Sequence, residues 1–471
     1  MKPNIVLVNC DDLGYGDLGC YGSTKNDTPV LDDLAQNGMR FTDFYMASPV
    51  CSASRGAMMT GCYPPRIGFG SFHGEWVLFP GDDIGLNPSE KTIASVLKDV
   101  GYHTMAVGKW HCGDQKEFLP TKHGFDQYYG LPYSNDMGPS ETRPGMPPLP
   151  LIQDEEVIQQ QPDQTSLTER YVEKSVDFIR RHKNSPFFLY LAHMHVHLPL
   201  YAPEIFRKTS RNGDYGACVA AIDWAMGAIV HELKVQGVYD NTLILFTSDN
   251  GSRNDFGESN GPLRGTKATT WEGGMRVPLI MHWNKKIQPG LTDELVASMD
   301  LYPTLATIAG AKVPTDRIID GIDFCDLLFG RSKKSSRNTL FYYMCTNLEA
   351  VRNGDWKLHV SRRPDAGRPS SEHDGTASSK PDLDSNEIVH ELYNLRDDTA
   401  ESVNLYDRHP EIVAQLNALA QACREDLGDN VTKVTGKQTR PIGKVAYASP
   451  LTSYDADHPY IIALYDRNEV G

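Results

Sequence analysis

Two polar doublets stand directly after apolar runs: Asp11 and Asp12 after "NIVLVNC", and Asp249 and Asn250 after "TLILFTS". Three carboxylates and an amide oxygen are hard donors, so their matched placement suits calcium or magnesium better than a soft metal. Taken singly, either doublet is equally well an Asp/Asn turn. The run "HMHVH" sets His193, His195 and His197 on one face of a strand by its two-residue period. Alternating imidazoles suit zinc or donation toward an oxyanion, and oxygen ligands nearby favour the second. Lys109 and His111 stand two apart in "VGKWHCG", and Lys267 lies in the Gly-rich "RGTKATTWEGG". Cations beside a metal site point to an anionic substrate group. Cys51 opens "CSASRGAMMTG", with Arg55 four residues on. At a helix N-terminus, the dipole and Arg55 would lower the thiol pKa and favour a thiolate nucleophile. Thiolate is a poor match for a hard cation, and these residues alone leave the role of Cys51 open.

The elements that must position these groups are legible as runs. "NIVLVN" (4–9), "HTMAVGKW" (103–110), "PFFLYLAH" (186–193), "TLILFTSDNG" (242–251) and "VPLIMHW" (277–283) read as buried strands. Helical periodicity occupies 28–38, 91–101, 166–182 and 214–237 between them. Alternation of strand and helix predicts an α/β fold around a large, mostly parallel sheet, whose ligands collect beyond the carboxyl ends of the strands. A change of composition near 327–338 suggests domains at 1–331 and 332–471. The second is expected to hold a smaller antiparallel sheet and one helix at 410–427, with 361–386 an exposed loop.

The chain has 471 residues, enough for two domains, and a formal charge of −15 without long single-sign blocks, which argues against nucleic-acid binding. Nine cysteines without a CxxC pair indicate neither a disulfide framework nor a zinc ribbon. No continuous apolar run reaches membrane-span length, so no membrane partner is expected. The opening "MKPNIVLVNCDD" is too short in apolar residues for a signal-peptide core. A cytoplasmic location is expected for the chain as written, and a periplasmic or secreted one if a leader has been removed.

"CSASRGAMMTG" resembles the signature of the type I sulfatases of the alkaline phosphatase superfamily, C-x-P/A-x-R followed by a small-residue helix and T-G. "PNIVLVNCDDLGYGDLGCYG", "GYHTMAVGKWHCG", "FFLYLAHMHVHLP", "TSDNG", "GPLRGTKATTWEGGMRVPLI" and "AVRNGDWKLH" are similar to sulfatase segments in the expected order. The pattern is nearest the arylsulfatase A-like and N-acetylgalactosamine-6-sulfatase-like members. The resemblance implies that Cys51 is oxidised to Cα-formylglycine, whose hydrated aldehyde supplies the nucleophilic oxygen. It implies a calcium ion, with magnesium the alternative, held by Asp11, Asp12, Asp249, Asn250 and residue 51. Asp249 would be the base, Arg55 and Lys109 would orient the hydrate, and His111 would take a proton as the sulfated hemiacetal collapses. Lys267 and His195 would bind sulfate and protonate the leaving alcohol, with Ser134 and His197 as substrate-side contacts. The substrate class is a sulfated carbohydrate or aryl sulfate.

One departure bears on maturation. The signature proline is Ala53 here, which the resemblance connects with a radical-SAM maturase and an anaerobic bacterial source rather than the oxygen-dependent enzyme. Two other functions remain open at this stage: a phosphonate monoester or phosphodiester hydrolase of the same superfamily, and a non-catalytic sulfated-glycan binding protein. Trp76 and Trp271 are candidates for a sugar platform, with core packing the preferred reading of both.

Overall fold

The run "NIVLVNC" lacks polar alternation, the pattern of a strand covered on both faces. In the computed structural model of the protein, Asn4–Cys10 is buried throughout at the centre of a ten-stranded sheet. The structure describes residues 2–141, 143–364, 384–455 and 467. From edge to edge the strands are Gly290–Thr292, Met39–Phe41, Leu279–His282, Thr242–Ser248, Asn4–Cys10, Phe187–Ala192, His103–Gly108, Gln127–Gly130, Pro150–Gln153 and Glu156–Gln160. The five from Thr242–Ser248 to Gln127–Gly130 are parallel. Leu279–His282 runs antiparallel to both neighbours, because the chain returns directly from the loop after Ser248 without a crossover helix.

Register does the positioning. Cys10 lies opposite Ser248 and Gly108 opposite Ala192, so Asp11, Asp249, Lys109 and His193 all leave the sheet at one edge. The Asp249 amide donates to the Cys10 carbonyl at 3.0 Å, and the Lys109 amide to the Ala192 carbonyl at 2.8 Å. At Gly108, φ is +102° and an added Cβ would stand 1.8 Å from the Ala192 carbonyl oxygen. Only glycine lets the chain turn that tightly ahead of Lys109.

Leu167–His182 and Gly213–Val235 pack together on one face of the sheet. Gly213–Val235 is long and apolar enough to cross a bilayer by length and composition. Here it is a core helix, with Val219, Ile222, Met226 and Ile229 buried beside Val6 and Val8 of the central strand. Residues of Cys51–Thr60 and Leu301–Ala309 join the core on the opposite face, around Ile5 and Leu7.

The C-terminal part is an antiparallel sheet of Thr339–Met344, Asn347–Asn353, Trp356–Arg362 and Glu387–Asn394, in that order. Helix Pro410–Leu427 packs on its two middle strands. The segment 361–386 is not a loop from its start: Ser361 and Arg362 finish a strand and Arg363 is buried, because strand pairing with Glu387 and Ile388 extends that far. Residues 365–383 of that segment lie outside the described residues, as do 456–466 and 468–471 of the C-terminal stretch.

A buried charge network joins the two sheets. The Lys357 ammonium donates to the Thr270 carbonyl at 2.8 Å and lies 3.0 Å from Glu272 and 2.9 Å from Glu401, all three side chains fully buried. Burial opposes ionisation of Glu272, but Lys357, Arg276 and Arg352 hold its carboxyl down to about 2. That stabilisation is present above the ordinary carboxylate pKa and is lost as pH falls toward about 2. Lys357→Met removes the ammonium shared by Glu272 and Glu401, leaving Glu272 to Arg276 and Arg352, and is expected to cost about 3 kcal/mol in chemical denaturation. Through Thr270 the same network steadies the turn that carries Lys267.

Candidate active site

Helix Cys51–Thr60 begins with the cysteine, after Val50 in extended conformation, and all ten of its residues are buried. Small side chains make that burial feasible: a Cβ at Gly56 would stand 2.6 Å from the Phe69 ring. The Ser52 hydroxyl accepts from the Leu78 amide at 3.1 Å, and the Ser54 hydroxyl donates to the Asp249 carbonyl. The helix start is thereby tied to the end of a neighbouring strand. Cys51 Sγ stands 3.5 Å from Asp11 Oδ1.

This setting does not favour an activated thiolate at Cys51. Burial pushes the Cys51 thiol well up, and the pull of Lys109 and Lys267 is opposed by Asp11 and Asp249. A helix N-terminus offers little to a thiol surrounded by carboxylates. As a free cysteine, residue 51 is a poor nucleophile.

Asp11, Asp12, Cys51 and Asp249 bring one ligand atom each within 4.8 Å of one another. The Asp12 amide donates to Asp249 Oδ1 at 3.2 Å, and Asn250 Nδ2 to Asp12 Oδ1 at 2.7 Å. That second bond fixes the Asn250 amide, leaving its Oδ1 buried with no hydrogen-bond partner among the described residues. An orphaned amide oxygen beside three carboxylates fits a hard cation. Asp12 itself has φ +61°, as His111 has +59° and Ala268, next to Lys267, has +63°. Left-handed backbone at non-glycine residues is unfavourable, and these three positions adopt it beside the site.

Arg55 binds the same carboxylates. Its Nε and Nη2 both lie 2.8 Å from Asp249 Oδ2, Nη1 donates to the Lys109 carbonyl at 2.8 Å, and Nη2 stands 3.5 Å from Asp11 Oδ1. Lys109 Nζ is 2.5 Å from Asp11 Oδ2, and Lys267 Nζ is 2.9 Å from Asp12 Oδ2. Against burial, Lys109, His197 and Arg55 hold the Asp11 carboxyl well below the usual range, and Lys267 and His197 lower Asp12. Burial raises Asp249 to about 7 despite Arg55.

The histidines do not behave as an alternating set, because the strand ends at Ala192 and the two-residue period ends with it. His193 and His195 are both buried. Burial takes the His195 imidazole down to about 4. His197 is the imidazole that meets the carboxylates: its Nε2 is 3.8 Å from Asp12 Oδ2, and it groups with Asp12 and Cys51. His111 Nε2 lies 3.0 Å from the Leu78 carbonyl, which can only accept, so Nε2 carries the proton. Its Nδ1 is buried with a free lone pair, and burial, Lys109 and Arg55 keep the ring neutral. Ser134 is buried in the loop whose Asn135 donates to the Pro199 carbonyl at 3.2 Å, beside the His197 turn. Trp271 is a core residue, under the Arg264 and Arg362 guanidinium groups.

Composition and spacing gave no sign of Ser52, Ser54 or the Leu78 carbonyl, whose roles depend on loops meeting in space. Comparison with known proteins agrees with the geometry. Residues 3–311 match the Sulfatase family and residues 335–446 the C-terminal region of aryl-sulfatase. Arylsulfatase A of Bos taurus is 39% identical over 450 residues, covering 89% of this chain and 86% of its own. N-acetylgalactosamine-6-sulfatase of Canis lupus familiaris is 39% identical over 376 residues, covering 76% and 71%. The crystal structure of Ps i-CgsB in complex with k-i-k-neocarrahexaose superposes with a TM-score of 0.76 at 31% identity, covering 90% of this chain and 92% of that one. With its alkaline phosphatase-like sheet and these matches over most of its length, the chain belongs to the sulfatase family of sulfuric ester hydrolases.

Proposed function

We propose that the protein hydrolyses sulfate esters of a carbohydrate or aryl alcohol with residue 51 converted to Cα-formylglycine and a calcium or magnesium ion bound beside it. The observation that carries this reading is the convergence of Asp11, Asp12, Asp249 and the unpaired Asn250 oxygen on the side chain of residue 51. Those four residues, with residue 51, would hold the ion. The ion supplies charge neutralisation at the transferring group, and the hydrated aldehyde supplies an oxygen nucleophile that regenerates by elimination.

The chain's own residues do the rest. Arg55 holds Asp249 and Asp11 in place through its guanidinium group. Asp249, among the groups gathered around residue 51, would take the proton leaving the nucleophile. Lys109 and Lys267 both act electrostatically on residue 51 and present ammonium groups to sulfate oxygens. Three carboxylates are balanced by three cations, so a divalent ion gives the cluster a surplus of positive charge for an anionic ester. The free lone pair of His111 receives the proton released as sulfate departs, and the His197 imidazole takes the substrate-side role with Lys267, beside Ser134. Ala53 in place of proline is consistent with maturation by a radical-SAM enzyme, and an anaerobic bacterial source would accord with that route.

Steady-state turnover of matched aryl sulfate and aryl phosphodiester substrates tests the assignment. The sulfate is expected to be the faster substrate; faster turnover of the diester would sink the reading, and turnover of neither by matured protein would favour a binding role.

A further inference from the structure

Buried arginines in this protein pair with carboxylates: Arg55 with Asp249, Arg276 and Arg352 with Asp43, and Arg337 with Asp300. Arg363 is 6% exposed and pairs with none among the described residues. Its only hydrogen bond there runs from Nη2 to the Ala268 carbonyl at 2.7 Å, and its Nε is buried without a partner. The nearby Glu349 carboxylate is already engaged by Thr270 and Asn386. The guanidinium lies over the Trp76 ring, 4.8 Å from its centroid, and the Trp76 indole N–H is likewise buried without an acceptor. A cation–π contact offsets only part of the cost of a desolvated charge.

The position of this pair gives it meaning. Ala268 follows Lys267, and its amide donates to the Pro49 carbonyl at 2.9 Å, two residues before Cys51. Trp76 precedes Leu78, whose amide reaches Ser52 and whose carbonyl meets His111. Arg363 and Trp76 thus bridge the two loops on either side of residue 51. The C-terminal sheet thus brings a cation between these loops, where Arg363 Nε and the Trp76 indole N–H are both buried without an acceptor among the described residues.

We propose that Arg363 and Trp76 form a subsite for a second oxyanion, a carboxylate or a further sulfate, carried by the alcohol portion of the substrate. This rests on the sulfatase reading and narrows it to substrates bearing a second negative charge near the scissile ester. Arg363 supplies the charge, and the indole N–H a directional donor.

The test uses matured, metal-loaded protein and three substrates: a pyranoside monosulfate, its uronate counterpart and its disulfated counterpart. Wild type is expected to prefer one or both doubly charged substrates by about tenfold to a hundredfold in kcat/KM, carried mainly by KM, the range of a charge-assisted hydrogen-bonded contact. Which of them is preferred distinguishes carboxylate from sulfate. Arg363→Gln should collapse that ratio, Arg363→Lys should restore part of it, and Trp76→Phe, which keeps the ring, should lower it partially. Calorimetric affinity for the desulfated uronate and for the singly sulfated product reads the same preference without turnover. Absence of preference in wild type, a ratio unchanged in Arg363→Gln, or an equal loss on all three substrates would overturn the subsite. Loss of turnover with the binding preference intact would count against the sulfatase reading alone.

Discussion

Cys51→Ala is expected to lower sulfate-ester turnover by about four orders of magnitude or more, the scale of losing an essential nucleophile. The side chain is 1% exposed and opens a helix whose ten residues are all buried. Removing one sulfur there creates a small cavity and should cost only about 1–2 kcal/mol of stability. Circular dichroism and thermal melting should therefore show a folded protein without activity. Cys51→Ser separates two explanations of that loss. It keeps an oxygen at the site but no aldehyde, so a single burst of sulfate release without sustained turnover is expected. Sustained turnover in the serine variant would mean that an ordinary hydroxyl suffices and that maturation is dispensable.

The second large effect is at Asp249. Its carboxylate meets the Arg55 guanidinium and the Asp12 amide and stands among the prospective metal ligands. Asp249→Asn preserves the volume while removing the negative charge and the proton acceptor. Turnover is expected to fall by about a thousandfold or more, the scale of lost general-base catalysis and more. Calcium affinity should fall by more than about a hundredfold, since even residues behind the ligands are worth tenfold to a hundredfold. Isothermal titration of the stripped protein reads that change separately from kinetics. Asp249→Ala is a poorer probe, because it strands a fully buried Arg55 at a cost of about 3–5 kcal/mol. Normal calcium affinity in the asparagine variant would remove Asp249 from the ligand set.

The strand runs and helix periodicities were readable because a buried parallel sheet requires continuous apolar stretches, and Asn4–Cys10, Phe187–Ala192 and Thr242–Ser248 supply them. Placement of the acidic doublets followed from the same logic, since the ends of adjacent parallel strands share one edge. Which of His195 and His197 stands nearer the carboxylates is not legible in the sequence: both lie past Ala192, where the strand period no longer governs direction. The thiol also misled, because a helix N-terminus is a local feature while the carboxylates around Cys51 arrive from residues 11 and 249. Arg363 was read as part of an exposed polar segment, and only the pairing of Trp356–Arg362 with Glu387–Asn394 carries it inward. Long-range meetings of this kind are not encoded in any window of neighbouring residues.

The central claim is the chemical identity of residue 51. Mass spectrometry of the peptide containing it, from protein produced with a radical-SAM maturase and without one, tests that claim most directly. An aldehyde at residue 51 is expected in the first sample, seen as the mass loss from thiol to aldehyde and as hydrazide labelling, with sulfatase activity proportional to its fraction. Full sulfatase activity from protein whose residue 51 is entirely unmodified cysteine would contradict it.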